Sequence, residues 1–222
     1  MSPHRPFAVA HRAGNSLPGL RAAEEAGADW VEADVWRFRG SLEVRHLKTM
    51  GPVPLLWDRW RLARASAPRL QIEELLAAAA PGTRFMFDLK GHDARLPAEL
   101  VRAVAASGRG APFMVSSQSW DLLECFRDLA DIPVAHSVGG PLQLRRVWKR
   151  LTWHDRHIIS IHFKLLDAPT VRELKERASS VITWPINTPE RLEKVVQWGL
   201  DGFTSDSLEL IRAHATGAAT GS

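Results

Sequence analysis

At 222 residues, with 45% apolar and 24% charged side chains, the chain has the size of one large domain or two small ones, and enough apolar residues for a sizeable core. A net charge of +4 suits an anionic substrate or a membrane surface without naming either. The single Cys125 excludes an intrachain disulfide, and no run approaches the ~18 apolar residues of a spanning helix. Met1 to Gly14 lacks the apolar centre of a signal peptide, so a cytoplasmic location is expected.

Taken in chain order, the runs of strand character are FAVAH (7–11), WVEADVW (30–36), LEVRH (42–46), RFMFDLK (84–90), FMVSS (113–117), IPVAHSV (132–138), IISIHF (158–163), VITWPIN (181–187) and GFTSD (202–206). Between them fall helical patterns: LQIEELLAAAA, LPAELVRAVAAS, SWDLLECFRDL, PTVRELKERAS and TPERLEKVVQWG. The last combines a capping Thr188, Pro189 in the first turn, an apolar stripe of Leu192, Val195 and Val196, and Gly199 as terminator. Apolar strands alternating with helices imply a parallel sheet covered on both faces. With LEVRH as a hairpin partner or continuation of WVEADVW, eight β/α units remain. That count predicts a TIM (β/α)8 barrel as a single domain over 1–214, with a very short insertion after the second β region. No glycine-rich dinucleotide fingerprint follows the first strand, which disfavours an open doubly wound sheet. The small-residue tail 215–222 is expected to be disordered.

A barrel places functional residues at the C-terminal ends of its strands. His11 and Arg12 end the first run, Glu32 and Asp34 lie late in the second, and His46 ends its partner. Asp88 and Lys90 end RFMFDLK, and His162, Trp184 and Asn187 close later runs. Residues at i and i+2 of a strand share a face, so Glu32 and Asp34 point the same way out of an apolar run. Buried carboxylates require partners. Three of them without cysteine suggest a hard divalent cation, Mg²⁺ or Ca²⁺, and the alternative is a set of simple ion pairs, Asp88–Lys90 and Glu32–Arg12. Two strand-end histidines add acid/base capacity near neutral pH, and the whole suits phosphoryl transfer.

The ordered motifs HRAGNS, AEEAGADWVEADV, LEVRH, FDLKG and TWPINTPERLEKVVQWGLDGFTSD together resemble the glycerophosphodiester phosphodiesterase family over nearly the whole chain. The resemblance implies hydrolysis of a small-molecule glycerophosphodiester to an alcohol and glycerol 3-phosphate. It also implies that His11 and His46 are the acid/base pair and Glu32, Asp34 and Asp88 the metal ligands. Arg12 and Lys90 would bind phosphate, and Trp184 would line the substrate pocket; His162 is added from its strand-end position as a substrate contact. Three departures stand out: Leu47 replaces an acid after His46, Asp88 replaces a Glu, and only about 25 residues (47–71) replace the usual inserted lobe. Asp at the third position is also similar to the sphingomyelinase D-like phospholipase D toxins. The alternatives are therefore a lysophospholipase D and a non-catalytic barrel that binds phosphate or lipid headgroups.

Two stretches interleave Trp with Arg and Lys: LLWDRWRLARASAPR (55–69) and LRRVWKRLTWHDRH (144–157). Trp57, Trp60, Trp148 and Trp153 read either as anchors for a peripheral membrane contact or as core and barrel rim. No nucleic-acid recognition motif is present. Among the remaining groups, Cys125 is expected to be a buried small hydrophobe. His136 and His162 read as hydrogen-bonded core histidines, and His4, His92, His154, His157 and His214 as loop or surface residues.

Overall fold

The computed structural model describes residues 5–50, 53–58, 61–64, 66–150 and 157–217. Eight parallel strands close on themselves: β1 (Phe7–Ala10), β2 (Trp30–Phe38), β7 (Phe85–Lys90), β8 (Phe113–Ser117), β9 (Val134–Val138), β10 (His157–His162), β11 (Ser180–Trp184) and β12 (Gly202–Ser205). The closure is the parallel pairing of β1 with both β2 and β12. This is a TIM barrel. LEVRH forms β3 (Ser41–Val44), an antiparallel hairpin partner of β2 with Trp36 opposite Glu43. Outside the barrel lie α1 (Leu17–Glu25), α2 (Ile72–Ala78), α3 (Leu96–Ala106), α4 (Pro141–Arg150), α5 (Ala168–Lys175), α6 (Pro189–Gln197) and α7 (Leu208–Ala215). None of these helices is long and apolar enough to cross a membrane.

Period-2 patterning builds the barrel interior. Phe7, Val9, Trp30, Met86, Met114, Ala135, Ile158 and Ile182 form one inward cluster. A Cβ at Gly202 would lie 2.6 Å from the Phe7 ring, so only glycine leaves space for this plug. Residues two positions further along share the inward face but are polar: Asp88 after Met86, Ser116 after Met114, Ser137 after Ala135, and Ser160 after Ile158. The polar mouth therefore lies one pleat above an apolar plug, at the C-terminal ends of the strands.

The short insertion folds as its own antiparallel sheet of β4 (Lys48–Met50), β5 (Val53–Asp58) and β6 (Arg61–Arg64), strands that the sequence reading did not resolve. The SWDLLECFRDL stretch, expected as an α-helix, instead makes two 3₁₀ turns, Trp120–Leu122 and Glu124–Phe126. Trp120, Leu122, Leu123 and Phe126 are buried here, and the backbone closes by i→i+3 hydrogen bonds, Leu123 N–H to Trp120 and Phe126 N–H to Leu123, rather than by the i→i+4 bonds of an α-helix. Cys125 falls between those positions and is exposed, against the expectation of burial. His214, expected at the surface, is buried on α7 beside Leu210 and Ile211, where its Nε2–H donates to the Pro6 carbonyl at 2.7 Å. Of the four interleaved tryptophans, Trp148 is partly buried against the core, Trp57 is exposed, and Trp60 and Trp153 lie outside the described residues, as do His4 and His154. Of the expected disordered tail, Ala215 closes α7, and 218–222 lie outside the described residues.

Candidate active site

A cavity of about 310 Å³ occupies the mouth, and His11, Arg12, Glu32, His46, Asp88, Lys90 and Trp184 all line it. Asp34 stands directly behind this wall, 1% exposed. The β2–β7 register places Asp34 opposite Asp88 and Trp36 opposite Lys90, which brings the carboxylates of two strands to one level. Ligand oxygens of Glu32, Asp34 and Asp88 lie within 4.8 Å of one another. His162 is not part of the wall. It stands edge-on to Trp184 at 4.8 Å between centroids, and its Nδ1 accepts the Lys164 backbone N–H at 3.1 Å.

A one-turn helix after β1 builds the rest of the carboxylate shell. Arg12 adopts a left-handed backbone (φ 55°), and its N–H donates to Glu32 Oε2 at 2.6 Å. Asn15 donates from Nδ2 to Asp34 Oδ2 at 2.6 Å and its Oδ1 accepts the Asp34 backbone N–H at 2.9 Å, holding that residue by its carboxylate and by its backbone. This turn lies so close to β2 that a Cβ on Gly14 would sit 2.7 Å from the Ala33 Cβ. The turn–β2 contact therefore demands glycine. Glu32 and Arg12 meet through the backbone, whereas Lys90 forms true ion pairs with Asp34 Oδ1 (2.8 Å) and with Asp88.

The charges do not balance internally. Burial, reinforced by the Asp34 charge, pushes the Glu32 carboxyl up to about 8. Burial also raises Asp88, where Lys90 opposes it only in part, and the Oδ1 of Asp88 is buried with no hydrogen-bond partner. Asp34 is held below the usual carboxylate range, since Lys90 and Asn15 together outweigh the cost of its burial. Lys90 in turn is raised, its burial overcome by Asp88 and Asp34. A single lysine among three carboxylates leaves a negative excess and an orphaned oxygen. That all-oxygen donor set fits a hard divalent cation.

His11 is organised by a residue that the sequence reading passed over. Its Nδ1 is 2.7 Å from Asp206 Oδ1, while Asp206 Oδ2 accepts from Asn187 Nδ2 at 3.0 Å and its backbone N–H donates to Asn187 Oδ1 at 2.9 Å. Burial works against the His11 imidazolium, but the Asp206 hydrogen bond with the Glu32 and Asp206 charges outweighs it and holds His11 above its ordinary value. The same hydrogen bond holds Asp206 at about 2. Both partners belong to motifs visible in the sequence, WPIN and GFTSD, but nothing in one dimension brings position 206 to position 11. Parallel pairing of β1 with β12 does so, through Ala10 opposite Ser205.

Next to His46 stands Leu47, where the sequence resemblance leads one to expect an acid. Arg45, 4% exposed, donates from Nε to Glu43 at 2.6 Å and from Nη1 to the Leu47 carbonyl, and its guanidinium covers the Trp36 ring at 4.8 Å. The backbone on both sides of His46 is therefore pinned by one buried arginine rather than by an acidic neighbour.

No protein-family model and no curated protein sequence matches this chain. Solved structures do match. A phosphodiesterase of Oleispira antarctica, solved with the product sn-glycerol-3-phosphate, superposes with a TM-score of 0.76 at 18% identity, covering 95% of this chain and 97% of its own. A glycerophosphodiester phosphodiesterase of Parabacteroides distasonis gives 0.74 at 22% identity, over 97% and 99%. One from Thermotoga maritima gives 0.69 at 19%, over 93% and 97%. What this likeness shows is the fold.

Proposed function

We propose that the chain is a divalent-cation-dependent phosphodiesterase that hydrolyses glycerophosphodiesters to an alcohol and glycerol 3-phosphate. The observation that carries this reading is the convergence of three carboxylates, His46, an Asp206-bound His11 and the cations Arg12 and Lys90 at one barrel mouth. The superposition on a phosphodiesterase holding sn-glycerol-3-phosphate, and the agreement of the sequence motifs with that same family, support it.

Glu32, Asp34 and Asp88 would hold the cation; Mg²⁺ and Ca²⁺ both suit oxygen donors. Bound there, the cation supplies charge neutralisation and Lewis-acid polarisation of a phosphoryl oxygen. The remaining chemistry belongs to the chain. Arg12 and Lys90 attract and orient the phosphodiester, and Trp184, braced by His162, walls the pocket. His46 takes the proton of the attacking oxygen: water, which gives glycerol 3-phosphate directly, or the neighbouring glycerol hydroxyl, which gives a cyclic phosphodiester that a water molecule then opens to glycerol 3-phosphate. With Nδ1 committed to Asp206, His11 holds its other proton at Nε2 and delivers it to the leaving alcohol.

The test is release of glycerol 3-phosphate from glycerophosphocholine and glycerophosphoethanolamine in Mg²⁺, Ca²⁺ or EDTA, beside a lysophosphatidylcholine arm. Metal-dependent release from the soluble diesters is expected. Turnover of the lysolipid alone would move the activity to a lysophospholipase D, and metal binding without any turnover would leave a headgroup-binding barrel.

A further inference from the structure

The β4–β5–β6 sheet has two unlike faces. Trp57 lies opposite both Lys48 and Leu62, and Leu55 lies opposite Arg64. Directly opposed residues in an antiparallel pair share a face, as do alternate residues of one strand. Lys48, Leu55, Trp57, Leu62 and Arg64 therefore form one surface, while Leu56, fully buried, points the other way. On the outer surface Trp57 is 40% and Leu62 66% exposed, with Lys48 and Arg64 exposed at the flanks. No carboxylate belongs to this face among the described side chains. Lys48 Nζ lies 5.9 Å from the Trp57 ring centroid and also lines the mouth cavity, so the face borders the site.

A second patch begins at the same end of the barrel. Leu142, 75% exposed, stands in the first turn of α4, just after the C-terminal end of β9. Leu142, Arg145, Arg146 and Lys149 follow i, i+3, i+4, i+7 spacing and are all exposed, while Val147 on the opposite side is buried. The α4 sequence PLQLRRVWKR contains no acid.

From these two patches we infer that the barrel mouth docks on an anionic lipid bilayer, with Trp57, Leu62 and Leu142 entering the interface and Lys48, Arg64 and the α4 cations meeting the headgroups. Solvent-exposed Trp and Leu beside cations that share their faces with no carboxylate among the described side chains match the chemistry of an anionic membrane surface. Two separate basic–apolar patches on different elements beside one opening fit a broad surface better than a single acidic peptide. The docking does not depend on the phosphodiesterase reading, and its assay needs no turnover.

The experiment is co-sedimentation of the full chain with phosphatidylcholine vesicles containing about a third phosphatidylserine, compared with phosphatidylcholine alone. Binding is expected only with the anionic lipid, and it should weaken as salt rises. The Trp57→Ser/Leu62→Ser double variant and Arg64→Glu, neither of which touches the cavity, should each cut partitioning about tenfold. Circular dichroism and hydrolysis of the soluble diester report whether the fold and the site survive. Absence of vesicle binding, equal binding to neutral vesicles, or unchanged binding by both variants would overturn the proposal. Capture by immobilised polyglutamate without vesicle binding would assign the face to an acidic protein instead.

Discussion

On one side of the barrel mouth, strands β1, β2 and β7 present His11, Glu32, Asp34, Asp88 and Lys90; on the other, β8, β9, β10 and β12 present Ser116, Ser137, Ser160 and Thr204 at the cavity. Most of these positions lie two residues beyond a member of the apolar plug, yet they hold ions on one side and hydroxyls on the other. On the charged side almost every group is held by a named partner: Asn15 on Asp34, Arg12 on Glu32, Asp206 on His11. On the hydroxyl side Thr204 Oγ1 is buried with no partner. The contrast separates a half whose charges are fixed before any ligand arrives from a half that offers uncharged donors and acceptors to whatever enters.

If that division is right, damage to the charged half should be far more severe. Replacing His11 or His46 by Ala is expected to cost about 10²–10⁴-fold in turnover, measured as glycerol 3-phosphate release, with little change in KM. Unchanged turnover in either variant would remove that histidine from the mechanism.

The outer surface of the hydroxyl half gives the next effect, in stability rather than rate. His136 is buried on β9 against Trp120 and His157, and burial together with the neighbouring His157 depresses it to about 4. The unfolded chain binds that proton more tightly, so the contribution is complete above pH 6.5 and is lost as the pH falls towards 4. The loss amounts to about 3 kcal/mol by pH 4. Urea unfolding at pH 7 and pH 4.5 should show it, and His136→Leu should flatten the difference.

Asp206→Asn sharpens the comparison within the charged half. Without the carboxylate the His11 imidazolium loses its main support, so its pKa falls and the basic limb of the pH–rate profile moves to lower pH. An accompanying rate loss of about 10- to 100-fold is expected. A rate loss with an unmoved limb would mean that Asp206 only positions the ring. The smallest effects belong to the hydroxyl half: Ser137→Ala or Ser160→Ala should raise KM about 2- to 10-fold, as for one lost hydrogen bond, and leave kcat nearly unchanged. A fall in kcat comparable to that of His11→Ala would erase the distinction between the halves.

Much of this site was legible in one dimension because a strand's period of two and the barrel's polarity are local rules. WVEADVW and FMFDLK announced their carboxylates and lysine by spacing, and the strand-end rule brought His11, His46 and Trp184 to the same rim. Residues that act through a neighbour were not legible. Asn15 lies within HRAGNS and Asp206 within GFTSD, but their partners are 19 and 195 residues away. Arg45 was hidden inside LEVRH, where only the β2–β3 hairpin shows that it covers Trp36 and brackets His46. His162 was placed by the same rule that placed Trp184, but its ring supports that tryptophan instead of facing the cavity.

The sequence by itself determined the alternation of apolar strands and helices, the closed count of eight parallel strands, and the end of the barrel at which polar side chains gather. These follow from periodicity and from the rule that buried charge needs company. Tertiary structure decided the rest: that Lys90 sits between two carboxylates while Glu32 is met by a backbone N–H and the Asp88 Oδ1 has no partner, that Asp206 reaches His11, and that the insertion turns a basic, tryptophan-bearing face outward beside the cavity. The reason is physical. Electrostatic compensation and exposure depend on distances across strands, and those distances are set by sheet register and barrel closure, which no single segment encodes.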